Sequence, residues 1–251
     1  MNVLRRELRA IWAAVIFFTR IPVPSLTDAT ADDWRRAATY FPLLGWLVGA
    51  VSAGIWWLAT RCFPLAVASG LGLGIAILLT GAMHEDGLTD FCDGFGGGWT
   101  RERTLAIMRD SRTGAFGVIG LILVLGLKWQ TLTALPFLLV PGAWIAAQSV
   151  SRAGAISIMT TLDYAGNEGG KAQPLCSRLS VGRTLSAVLF GCAPLVLLPV
   201  RACWGVAAVV LTRAFFAGWF KRRLGGYTGD CLGALQQSGE LVFLLTVLAT
   251  V

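Results

Sequence analysis

The chain has 251 residues, of which 55% are hydrophobic and only 14% charged, and its mean hydropathy is +0.68. A soluble domain carries roughly 25% charged residues, so the composition excludes an ordinary aqueous globule and makes lipid the solvent. The net charge is +7, but the basic residues are dispersed among apolar runs and form no soluble module, which argues against nucleic acid as a partner.

At the N-terminus, Arg5, Arg6 and Arg9 precede Ile11, Trp12, Val15, Ile16 and Phe17. That order resembles a secretory leader, yet Thr19-Arg20-Ile21-Pro22-Val23-Pro24 follows in place of a small-residue cleavage site. The segment is expected to be retained, either at the membrane interface or dipping into it. Apolar stretches of spanning length then predict helices over 38–60 and 64–83, followed by 114–134, 136–160, 184–200, 202–220 and 232–251. Residues 1–251 therefore read as one all-α, polytopic membrane domain of about seven transmembrane helices plus an N-terminal interfacial helix. Its core must come from helix-on-helix packing in lipid, where 30 glycines permit close backbone approach.

With the N-terminus in the cytoplasm, every loop arginine and lysine falls inside except Arg61 and Arg201, as the positive-inside rule demands. Lys171 and Cys176 belong to that cytoplasmic set. Lys128, Arg152 and Arg213 fall within or near the ends of spans, where each needs a partner or a polar cavity. Lys128, beside Trp129, is expected to snorkel to the outer interface. Arg152, one turn after Gln148, is expected to meet a carboxylate or a phosphate. Nothing in the sequence decides Arg213.

Between the second and third spans, Glu85-Asp86-Gly87-Leu88-Thr89-Asp90-Phe91-Cys92-Asp93-Gly94 gathers four of the chain's fourteen acidic residues. On a helix, Asp86, Asp90 and Asp93 fall at i, i+4 and i+7 and share one face. Carboxylates that close repel one another unless a cation intervenes, and a hard divalent metal with oxygen ligands suits them. The competing reading is a solvated acidic loop, which has no reason to follow helical spacing. Gly96-Gly97-Gly98 then breaks the helix, and Thr100 reads as the N-cap of a new one. In Met108-Arg109-Asp110-Ser111-Arg112 two arginines offer planar forks for phosphate oxygens, and Asp110 could orient one of them or join the metal. In Leu224-Gly225-Gly226-Tyr227-Thr228-Gly229-Asp230 a glycine-rich turn could bring amides to an anion, or Asp230 could simply cap the last helix.

The chain resembles the cobalamin synthase family, the adenosylcobinamide-GDP ribazoletransferases. The resemblance rests on Phe18-Thr19-Arg20-Ile21-Pro22-Val23-Pro24, Phe41-Pro42-Leu43-Leu44-Gly45, the stretch from His84 to Gly94, Met108-Arg109-Asp110-Ser111-Arg112, and the stretch from Gly226 to Ala234, in family order. It implies a Mg²⁺-dependent enzyme of the bacterial inner membrane, with the N-terminus and site cytoplasmic. Such an enzyme joins adenosylcobinamide-GDP to α-ribazole or its 5'-phosphate and releases GMP. Asp86, Asp90, Asp93 and Glu85 would then hold Mg²⁺, and Arg109, Arg112, Arg152, Ser111, Gly229 and Asp230 would contact substrate phosphate. Asp93 or Asp110 would accept the attacking hydroxyl's proton. The resemblance leaves self-association, or association with other cobalamin-assembly enzymes, open.

Two other functions fit less of the chain. Asp90-Phe91-Cys92-Asp93-Gly94 matches the first half of the CDP-alcohol phosphotransferase signature, but Gly97-Gly98 stands where Ala-Arg is needed and no further aspartate comes before Asp110. An ion-coupled transporter would carry its acids at the midplane and show internal repeats. His84 is the sole histidine, and the six cysteines show no close pairing, so neither a zinc site nor a disulfide framework is indicated.

Overall fold

Gly45 and Gly49 lie one helical turn apart, and their missing side chains let two helix backbones come into close contact. A Cβ at Gly45 would stand 2.6 Å from the Gln148 carbonyl oxygen, and one at Gly49 would stand 2.6 Å from Ile145 Cα. The computed structural model that shows this describes residues 3–166 and 178–251. Lys171 and Cys176 lie outside the described residues.

The described helices are α1 (Val3–Phe18), α2 (Ala31–Ala37), α3 (Phe41–Ala59), α4 (Leu65–Thr80), α5 (Met83–Gly97), α6 (Arg101–Met108), α7 (Ala115–Ala134), α8 (Val140–Ser157), α9 (Val181–Cys192), α10 (Cys203–Leu224) and α11 (Gly229–Thr250). No strand occurs among the described residues; Tyr164 and Tyr227 form an isolated parallel bridge. The chain is an all-α membrane protein. Each of the seven stretches expected to cross the bilayer contains a helix. Four helical stretches are long and apolar enough to do so alone: Ala31–Ala59, Ala115–Ala134, Val200–Leu224 and Gly229–Thr250. The α4 and α5 pair would make a fifth if its two halves count as one span, although they meet at 89°. The polar residues Gln148, Ser149, Ser151 and Arg152 keep α8 out of that set, and α9 is short.

The bend between α4 and α5 has a local cause. Gly81 closes α4 with φ of +64°, and Ala82 follows at φ of +58°, a left-handed conformation that costs a non-glycine residue energy. Their amides still bond back to Leu78 and Ile77 carbonyls, so the turn is a tight cap and not a fray. The second expected span therefore stops at Thr80, and the acidic stretch turns off at nearly a right angle.

α1 is amphipathic. It buries Ala10, Ala13, Ala14 and Phe18 and leaves Val3, Leu4, Leu8 and Trp12 exposed. Arg9 pairs with Asp28 and Asp33, and Glu7 pairs with Arg36 and Arg183, so the N-terminal segment is fixed to α2 and to the start of α9. On the other flank, Phe91 and Phe95 of α5 pack edge-on against Trp219 and Phe220 of α10.

Lys128 overturns its expectation. It is 1% exposed, its Nζ lies 2.9 Å from Glu240 Oε2, and it donates to Gln237 Oε1 at 2.5 Å. The side chain points into the bundle, where Glu240 offers charge compensation that a lipid-facing position lacks. Gln148 and Gln236 also donate to Glu240, and Gln237 donates to Glu85, so one polar network ties α5, α7, α8 and α11 together. Arg213 is satisfied by Ser157 and Thr161.

Candidate functional site

The i, i+4, i+7 arrangement forms, because 83–97 is a continuous helix. Its three aspartates nevertheless meet different surroundings: Asp86 is exposed, Asp90 half-buried and Asp93 buried. Asp93 Oδ2 accepts from the Gly114 amide at 2.6 Å, and Oδ1 accepts from the Gly117 amide at 2.8 Å. It thus caps α7 from a neighbouring helix, satisfying N–H groups that have no partner within α7. Glycine is needed at both positions: a Cβ at either would stand 2.5 Å from an Asp93 oxygen.

Glu85 turns inward. One residue is about 100° of helix rotation, so Glu85 cannot share the Asp86 face. Its Oε1 accepts from Gln237 at 2.8 Å, while Oε2 is buried with no hydrogen-bond partner. It belongs to the interior network through Gln237.

Asp230 comes to the aspartate face from the far end of the sequence. α11 crosses α5 where both carry glycine: a Cβ at Gly87 would lie 3.0 Å from Asp230 Cα and 3.4 Å from Gly233 Cα. The charge of Asp90 is opposed by those of Asp230, Asp86 and Asp93. None of Asp86, Asp90 or Asp230 forms a salt bridge among the described residues. Asp230 is not the helix cap, since Thr228 fills that role by accepting from the Cys231 amide at 3.3 Å. Gly225, at φ of +74°, ends α10. The Tyr227 amide then bonds the Asp163 carbonyl at 3.0 Å, which fixes the turn that delivers Gly229 and Asp230.

The Arg109–Arg112 segment stands at the rim. Thr100 caps α6 as expected, accepting from the Arg103 amide at 3.2 Å. Arg109 and Ser111 are exposed. Asp110 is bonded bidentately by the Arg112 guanidinium, with Nη2 to Oδ2 at 2.6 Å and Nε to Oδ1 at 3.0 Å. That hydrogen-bonded partner holds the Asp110 carboxyl down at about 2, so it is a feeble proton acceptor near neutrality. Arg152 sits elsewhere. It is 2% exposed, donates to the Gln148 carbonyl at 2.8 Å and to the Gln148 side chain, and lies over the Phe41 ring. The charges facing it are those of Glu240 and Glu85, the carboxylates of the interior network.

A cavity of about 660 Å³ opens beside the aspartate face. Its walls include Phe18, Thr19 and Arg20, then Phe41, then His84 and Asp86, then Gly229, Asp230 and Gly233. Four of the five motif stretches named above thus converge on one space, and the stretch around Arg109 does not line it. The roles of Arg20, Phe41 and His84 were not legible from residue chemistry alone. Their membership of those stretches was the available signal.

A family model for cobalamin-5-phosphate synthase matches residues 10–248. The chain is 48% identical over 253 residues to the adenosylcobinamide-GDP ribazoletransferase of Ralstonia pickettii strain 12J, covering 99% of this chain and 98% of that protein. It is 47% identical to the protein of the same name from Ralstonia nicotianae, again over 99% of this chain and 98% of the other. With that of Leptothrix cholodnii it shares 42% identity over the whole of this chain and 99% of the other. No solved structure gives a significant match.

Proposed function

The chain belongs to the cobalamin-5-phosphate synthase family, and from that premise we propose how its own residues carry the transfer. The activity is that of an adenosylcobinamide-GDP ribazoletransferase. It joins adenosylcobinamide-GDP to α-ribazole or its 5'-phosphate, giving adenosylcobalamin or its 5'-phosphate and GMP.

In this reaction a ribose hydroxyl attacks the phosphorus attached to the corrinoid side chain, and the bond from that phosphorus to the GMP oxygen breaks. A protein accelerates such a step mainly by positioning and by offsetting charge. The single observation that carries our reading is the convergence of Asp86, Asp90 and Asp230 on one face without any basic partner among the described residues. Oxygen-only donors with unbalanced negative charge suit Mg²⁺. Among the described residues no three acidic, histidine or cysteine side chains form a cage for an ion by themselves. Mg²⁺ usually takes one or two carboxylates and completes its shell with water and substrate phosphate. Asp86 and Asp90 would hold it, and when bound it offsets the charge of the diphosphate.

The remaining roles belong to side chains. Asp230, free of the helix cap, accepts the proton of the attacking hydroxyl. Arg109 and Arg112, with Ser111 between them, meet phosphate from the aqueous rim, and Arg112 stays oriented by Asp110. Asp93 and its two amide bonds hold the acidic helix against α7 and so position Asp90. The site faces the cytoplasm of the inner membrane, a reading supported by the distribution of loop arginines.

The test is GMP release from adenosylcobinamide-GDP by the purified full-length protein. We expect release only when α-ribazole and Mg²⁺ are both supplied, and its abolition by EDTA with recovery on adding Mg²⁺ back. Undiminished release in EDTA would remove the metal from the reading.

A further inference from the structure

The cavity beside Asp86 and Asp230 has a composition that selects its occupant. Three rings form a column along it: Phe18 stacks on Phe41 with centroids 4.2 Å apart and planes at 26°, and Phe41 stacks on His84 at 5.3 Å and 18°. Ile156 and Met159 of α8 and its extension add aliphatic wall. His84 is 4% exposed, and its Nε2 is buried without a hydrogen-bond partner among the described residues. A buried ring nitrogen left unpaired is destabilising unless something completes it. A volume of about 660 Å³ lies in the range of small-molecule sites, which combine apolar walls with a few convergent polar groups.

We propose that this cavity is the subsite for the planar base of the ribazole, with His84 Nε2 bonding the one free ring nitrogen of that base. The proposal rests on the activity stated above and assigns one of its two substrates to a place. The other candidate base is the guanine of the corrinoid nucleotide. Guanine carries a carbonyl, an amide N–H, an amino group and two ring nitrogens, and pairing them would draw on Asp86 and Asp230, the wall carboxylates that the transfer itself uses. A benzimidazole-type base presents one polar edge atom and two hydrocarbon faces, so the column of rings and the aliphatic wall satisfy it. The placement also orients the reaction. His84, Asp86 and Asp230 line the same cavity, so a base seated against His84 keeps its ribose hydroxyl in the space those carboxylates share.

The test uses full-length protein in lipid nanodiscs and titrates α-ribazole alone, then measures KM for each substrate. His84→Phe retains a ring for stacking and removes the nitrogen. We expect the Kd and KM for α-ribazole to rise at least about tenfold, the loss typical of an unpaired ligand nitrogen, with KM for adenosylcobinamide-GDP within about twofold of wild type. The wild type should also favour α-ribazole over its indole riboside counterpart, and His84→Phe should lose that preference. Ile156→Trp, which fills the cavity from its aliphatic wall, should abolish α-ribazole binding while leaving GMP binding intact; retained GMP binding certifies the fold. Unchanged α-ribazole affinity in both variants, or a raised KM for the corrinoid nucleotide instead, would overturn the assignment while leaving the activity standing. Wild-type protein that binds no α-ribazole and releases no GMP would count against the activity itself, and the subsite would fall with it.

Discussion

Asp90 and Asp93 are one helical turn apart, and the structure gives them opposite kinds of work. Asp90 is half-buried among like charges, whereas Asp93 spends both oxygens on the Gly114 and Gly117 amides. Asp90→Asn should remove nearly all transfer activity while leaving the melting temperature in detergent within a degree or two. Asp93→Ala should behave as the loss of a helix cap, destabilising the protein by about 1–2 kcal/mol and lowering activity through a displaced α5. A stable, inactive Asp93→Ala would return Asp93 to the reacting centre. The spacing of 86, 90 and 93 was legible in the sequence because a helix has one period. The diversion of Asp93 was not, since nothing near it in the chain says that α7 begins beside it. Asp110 makes a third case. Its carboxyl, held down at about 2 by Arg112, is ionised at every pH where the enzyme can be assayed and gains a proton only as pH falls through that value. The acid limb of the rate profile over roughly pH 5 to 9 should therefore be the same in Asp110→Asn as in wild type. A shifted limb would mean that Asp110 exchanges a proton with substrate.

At the scale of helices, two devices hold the bundle. The Gly45–Gly49 face lets α3 lie against the backbone of α8, and Gly49→Val should cost about 1–3 kcal/mol by overpacking, read as a lowered melting temperature. The second device is the ion pair between Lys128 and Glu240, which are each about 1% exposed. Lys128→Met leaves the buried Glu240 without its ion-pair partner, with two glutamine donors and the more distant Arg152 charge remaining, and should destabilise by about 3–5 kcal/mol. The double variant Lys128→Met, Glu240→Gln should recover much of that loss, and failure to do so in a double-mutant cycle would show that the charge pair is not the source. Hydropathy located Lys128 along its helix but not around it. The angle depends on α11, more than a hundred residues away in sequence. The α4–α5 bend escaped for a similar reason: the apolar run continues to Met83, and only the left-handed Gly81 and Ala82 show that the helix has already ended.

For the whole molecule, orientation is the property most open to test. Cys62 and Cys203, expected on the outer side, are exposed, and Cys231, expected on the inner side, is buried. Single-cysteine proteins retaining Cys62 or Cys203 should react with an impermeant thiol reagent in intact cells. Thr113→Cys, placed in the exposed turn before α7 in a protein without other cysteines, should react only after permeabilisation. Labelling of that position in intact cells would put the site on the outer face. The same view gives the elbow at Gly81 and Ala82 a larger meaning. Because α5 leaves its partner at 89° and is clasped at its other end by two backbone amides, the carboxylate row is anchored at both ends of its helix. Most of the entropy of lining up those charges is then lost once, when the chain folds, and is not lost again at each turnover. A substrate as bulky as a corrinoid then meets carboxylates that are already in place.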